Sequence, residues 1–150
     1  MSSSKSKSFL SNRILQLLIL TIFLTITTAR PSVRTIKSES QFDALLKKHA
    51  TTTGLPVILD FYSDSCGPCR QIAPVYQKLA KQYKDKAVFA KIDVNGLQAI
   101  SQRYNVRSMP TFLFIYNGEK VFEFSGAGEG QLRDYTKKII EKSEKENVIL

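Results

Sequence analysis

Val57-Ile58-Leu59-Asp60-Phe61-Tyr62-Ser63-Asp64-Ser65-Cys66-Gly67-Pro68-Cys69 holds both cysteines of the 150-residue chain, three positions apart, behind an almost unbroken apolar run. The run from Val57 to Phe61 has the pattern of a central strand covered on both faces. A strand ending at Tyr62, a short turn and a helix starting at Cys66 would set that cysteine on a helix N-terminus. Free backbone N–H groups and the helix dipole favour a thiolate there. Thiolate is the reactive form, and such surroundings bring a cysteine pKa from about 8.5 into the range of about 3.5–7.5. A pair at this spacing can close into a disulfide across one helical turn and open again, so the stretch predicts reversible dithiol–disulfide exchange.

Other uses of a Cys-x-x-Cys pair fit less well. Structural zinc takes four protein ligands, and the chain has no third cysteine and one histidine, His49, in a different expected helix. His49 reads as a surface or helix-end residue without chemistry. Attachment of c-type haem requires histidine after the second cysteine, where Arg70 stands. A permanent disulfide closing so short a loop would constrain the unfolded chain little. No metal and no organic cofactor is implied.

The net charge of +9 is unevenly spread. Residues 1–37 carry six basic residues and no acid; residues 38–150 carry 16 basic against 13 acidic. The nearly balanced remainder lacks the basic stripe that nucleic-acid binding requires. Residues 1–29 read as a targeting segment: a basic, serine-rich start with Lys5, Lys7 and Arg13, an apolar stretch from Ile14 to Ile26, then Thr27-Thr28-Ala29. That order matches a secretory signal, and the apolar stretch is short for a membrane span. An uncleaved signal anchor, or transit to a plastid or mitochondrion, are the alternatives. Membrane association is expected only if the leader is retained. The chain carries neither an ER-retention signal nor an N-glycosylation sequon.

Residues 30–37 read as a linker holding a short first strand, Val33 to Ile36. Ser38 and Gln41 form a capping-box pattern for a helix through Phe42, Leu45 and Leu46. The helix after Cys66 carries Ile72, Val75, Leu79 and Tyr83 on its apolar side and should kink at Pro74. Further strands are expected at Ala87–Ile92 and Thr111–Tyr116. The latter turns at Asn117-Gly118 into a partner containing Val121, Phe122 and Phe124. A short helix over Leu97–Tyr104 and a last amphipathic helix with Leu132, Tyr135, Ile139 and Ile140 complete the order, with residues 143–150 a charged, fraying tail. The order β-α-β-α-β-α-β-β-α specifies an α/β domain with a mixed sheet of about five strands and helices on both faces.

This element order, Cys66-Gly67-Pro68-Cys69, Asp60 upstream and Met109-Pro110-Thr111 together resemble thioredoxin, over residues 33–142. The resemblance implies the thioredoxin fold and reduction of protein disulfides by a monomer, with electrons from a reductase-type donor. By similarity Cys66 is the attacking nucleophile, Cys69 the resolving thiol, and Asp60 a buried base tuned by Lys91. The residue readings agree: burial should raise the Asp60 pKa, Pro68 stiffens the first turn, and Gly67 leaves room for a substrate backbone. The resemblance further implies a cis Met109-Pro110 bond beside the disulfide, with Gly126 flanking the same substrate groove. One departure concerns the residue before the first cysteine, where thioredoxins usually have tryptophan and this chain has Ser65. The missing indole bears on substrate docking and on reductase recognition. Gly67-Pro68 resembles reducing members, whereas oxidants and isomerases commonly carry histidine there. A lumenal oxidant or isomerase, or a thioredoxin-fold interaction subunit, are the competing readings.

Overall fold

The computed structural model describes residues 32–149; the expected targeting segment, residues 1–29, lies outside the described residues. Strands β1 (Val33–Ile36), β2 (Val57–Tyr62), β3 (Val88–Asp93), β4 (Thr111–Tyr116) and β5 (Glu119–Ser125) form one sheet in the order β1-β3-β2-β4-β5. β1 and β2 run parallel to β3, whereas β4 is antiparallel to β2 and β5 to β4. Helices α1 (Glu39–Lys48), α2 (Gly67–Gln82), α3 (Gln98–Arg103) and α4 (Glu129–Ile149) cover it. The β4–β5 hairpin turns at Asn117 (φ 51°) and Gly118 (φ 81°), the paired left-handed conformation that matches strand twist.

Side chains alternate across β2, and this places the site. Ile58 packs with Ile72, Tyr76, Phe89, Phe112 and Leu132 under α2 and α4. Val57, Leu59 and Phe61 pack with Phe42, Leu45, Ile92 and Ile100 under α1 and α3. With a period of two, Asp60 falls on the Ile58 face, beneath the helix that carries the cysteines.

Local rules account for the helix starts. Ser38 Oγ accepts from Gln41 N at 3.2 Å, and Gln41 Oε1 reaches back to accept from Lys37 N at 2.9 Å. α2 runs from Gly67 to Gln82 with Pro74 inside it.

Several expectations change. β3 is shifted one residue from the predicted strand. On α2 the fully buried aromatic is Tyr76, with Val75 and Tyr83 only partly buried; positions 72, 76, 79 and 83 make the better helical stripe. The Tyr76 hydroxyl lies 2.8 Å from both Ile58 O and Ala90 O and shares its one proton between them, bridging β2 and β3. Tyr76→Phe strips that donor from two buried carbonyls and is expected to cost about 1–3 kcal/mol. It should appear as a lower urea midpoint with unchanged slope; an unchanged midpoint would contradict the bridge.

His49 is not a surface residue. The chain continues past α1 in one π-helical turn, His49–Thr53, ended by Gly54 at φ 61°. His49 is buried and Nδ1 lies 2.6 Å from Thr53 Oγ1. Burial, then Arg34 and Lys48, hold its pKa below the usual value. The C-terminal segment does not fray after Glu141 either, because α4 extends to Ile149. Ser143 is buried and caps Ile140 O at 2.8 Å, while Glu144 pairs with Lys86 at 2.7 Å.

Candidate active site

Cys66 is the N-cap of α2, in extended conformation (φ −82°, ψ 111°), and its Sγ accepts from Cys69 N at 3.2 Å. Serine or aspartate usually fills that position, and here sulfur receives the otherwise unpaired N–H of the first turn. Cys66 and Cys69 are joined as a disulfide. Cys66 is half-buried and Cys69 is buried one turn deeper. Pro68 lies in the first turn of α2, where no N–H is needed. Among the described residues, a Cβ on Gly67 would meet nothing closer than Arg70 Nη2 at 4.0 Å, so none of them demands glycine there.

Beneath this turn lies a cavity of about 540 Å³ lined by Cys69, Asp60, Lys91, Tyr62 and Tyr76 among others. Asp60 is 5% exposed, and its Oδ1 has no hydrogen-bond partner among the described residues. Burial pushes its pKa up to about 7, and the opposing pull of Lys91 is too weak to restore the ordinary value. Lys91 is the register partner of Asp60 on β3, and its ammonium sits 4.8 Å from the centroid of the Tyr62 ring.

Met109-Pro110 and Gly126 form a second group, outside that cavity. The Met109–Pro110 bond is cis, Pro110 is buried and Met109 is exposed. Gly126, at φ 102°, donates its N–H to Pro110 O at 2.8 Å. Thr111 pairs with Phe61 on one side and Ser125 on the other, so this group emerges at the sheet end where the Ser63–Cys66 turn begins.

A thioredoxin family model matches residues 33–138. The chain belongs to the thioredoxin family. Thioredoxin H-type of Oryza sativa subsp. indica is 43% identical over 97 residues, 65% of this chain and 78% of that protein. Thioredoxin-1 of Drosophila yakuba is 43% identical over 84 residues, 56% of this chain and 78% of the relative. Among solved structures, a poplar thioredoxin h superposes with TM-score 0.68 at 31% identity, covering 73% of this chain and 96% of the other. The reduced Schistosoma mansoni thioredoxin pre-protein gives 0.66 at 36% identity, covering 71% and 97%. The sheet and its flanking helices are therefore the thioredoxin fold. With its close cysteine pair, this family member is a thiol–disulfide oxidoreductase with disulfide reductase activity. Thioredoxins in general act on protein disulfides and are served by a reductase partner.

Three residues of the site are not among those the sequence singles out. Tyr76 was legible from helical spacing. Ser63 and Asn95, whose side chains meet at 3.2 Å, are 32 positions apart and left no local signal.

Proposed function

We propose that the protein reduces disulfides of protein substrates through its Cys-Gly-Pro-Cys dithiol, in the secretory lumen or an organelle that its N-terminal segment addresses. The observation that carries this reading is the Cys66 Sγ seated at the α2 N-cap, accepting Cys69 N. That seat favours negative charge on the first sulfur once the pair is reduced.

The Cys66 thiolate attacks one sulfur of a substrate disulfide; that S–S bond breaks and its other sulfur departs as a thiolate, protonated by water. Asp60, with its pKa near 7, takes the Cys69 proton across the cavity both residues line, directly or through one water. The Cys69 thiolate then attacks Cys66 Sγ. The mixed disulfide breaks, the second substrate thiolate leaves, and two electrons have passed from the dithiol to the substrate. Lys91 tunes Asp60 by opposing its raised pKa. Gly67 and Pro68 present the disulfide, and Met109, Pro110 and Gly126 line the substrate side.

The direction is tested by the reduction potential of the full-length chain, equilibrated against glutathione. A value near about −270 mV supports reductase work, with a donor in the same compartment. A value between about −180 and −120 mV belongs to an isomerase or oxidant and overturns that direction.

A further inference from the structure

The turn that delivers Cys66, Ser63-Asp64-Ser65, carries a chain of hydrogen bonds that the exchange chemistry does not itself require. Ser63 is 2% exposed, and its Oγ stands between two partners, Asn95 Nδ2 at 3.2 Å and Ser65 Oγ at 2.9 Å. Asn95 is held from behind, its backbone N–H donating to Asp93 Oδ1 at 3.0 Å. The neighbouring Val94 N donates to Tyr62 O at 3.0 Å, extending the β2–β3 ladder under the turn. Arg70 closes the opposite side, with Nη1 donating to Asp64 O at 2.8 Å.

The chain has a direction. An amide nitrogen has only protons to give, so Asn95 donates to Ser63. Ser63 has a single proton and is buried, and among the described residues the acceptor left to it is Ser65 Oγ. Ser65 is exposed, and with its oxygen receiving that bond its own O–H points away from the network. The residue directly before the attacking cysteine thus holds out an oriented donor.

We infer that Ser65 is a specificity-determining residue, and that Ser63 and Asn95 are the positioning residues that aim its hydroxyl. An apolar side chain docked over Ser65 strips water from that O–H and returns no partner, whereas an amide or hydroxyl oxygen replaces the lost water. The exposed Asp64 carboxylate beside it disfavours an acidic neighbour. The substrate class selected is a polypeptide disulfide whose cysteine is flanked by a neutral hydrogen-bond acceptor such as Gln, Asn or Ser. The inference rests on the exchange reading proposed above and specifies its substrates.

The test uses the full-length chain kept reduced by dithiothreitol, whose direct reaction is subtracted, and two peptide disulfides identical except for Gln or Leu beside one cysteine, with kcat and KM measured separately. Wild type is expected to favour the Gln peptide by about fivefold, the effect of one hydrogen bond, chiefly through KM. Ser65→Ala should bring the ratio to within twofold of unity. Asn95→Asp, which can only accept, forces Ser63 and Ser65 to donate inward and should erase the ratio equally. Ser65→Thr keeps the hydroxyl and should keep the preference. A wild-type ratio near one, or a ratio that survives Ser65→Ala or Asn95→Asp, overturns the inference while the exchange reading stands. If wild type turns over neither peptide nor 5,5′-dithiobis(2-nitrobenzoate), the exchange reading itself falls and this inference falls with it.

Discussion

Cys66→Ser should abolish disulfide reduction, a loss on the order of 10³-fold or more, because serine supplies no nucleophile that can enter thiol–disulfide exchange. Cys69→Ser should behave differently. Its Cys66 thiolate still attacks, but nothing resolves the product, so a mixed disulfide with the substrate accumulates and can be read as an intact adduct by mass spectrometry. The asymmetry follows from placement: Cys66 is the half-exposed N-cap, and Cys69 is buried one turn deeper. Loss of the fold is not the cause expected for either variant. A bridge between residues three apart closes a loop so short that its entropic contribution is about 2 kcal/mol. Trapping by Cys66→Ser and not by Cys69→Ser would reverse the assigned roles, equal trapping would erase the distinction between the sulfurs, and full turnover by Cys66→Ser would remove the dithiol from the mechanism.

What could be read in advance were features set by near neighbours in the chain. The apolar run Val57–Phe61 became the central strand because both of its faces are covered, by α1 and α3 on one side and α2 and α4 on the other. Asn117-Gly118 became the hairpin turn because both positions adopt positive φ, which these residues tolerate. Cys66 became a cap because Gly-Pro follows it, and proline is pre-shaped for a first helical turn. Ser38 and Gln41 capped α1 from within four residues.

What was missed depends on partners distant in sequence. His49 looked like a helix end because the helix pattern stops there, but an added π turn tucks its ring inside and Thr53 meets it. The tail looked frayed because residues 141–149 are mostly charged. Glu144, however, reaches Lys86, 58 positions away, and Ser143 packs inward, so the helix continues. The Asn95–Ser63 contact behind Ser65 is of the same kind. Substitution of serine before Cys66 was visible in the sequence; the hydroxyl chain that aims it appears only when the β3–α3 loop is brought beside the Ser63–Ser65 turn.

Asp60→Asn is expected to stabilise the protein in alkaline solution while slowing it as an enzyme. In the unfolded chain this carboxyl loses its proton near 3.8; in the folded protein burial holds the proton until about 7. Between those values the native state binds more protons than the unfolded state, so stability falls as pH rises and levels off above about 7. Three pH units at about 1.4 kcal/mol each set an upper bound of about 4 kcal/mol on the cost of the buried charge. Asparagine has nearly the same shape and does not ionise. The variant should therefore exceed wild type by about 2–4 kcal/mol at pH 8.5, and the advantage should shrink steadily toward pH 4.5, as read from urea midpoints of the oxidised proteins. Taking the difference between variant and wild type at each pH cancels every other titrating group, His49 included. An advantage that does not vary with pH would mean that Asp60 titrates normally, and the assigned base would be lost with it. If the advantage does follow pH, the same variant should resolve its mixed disulfide more slowly, because Cys69 then lacks the carboxylate that takes its proton. A carboxyl that weakens the fold at the pH where it is ionised, and lines the cavity beside the resolving sulfur, is what the proposed proton transfer from Cys69 requires.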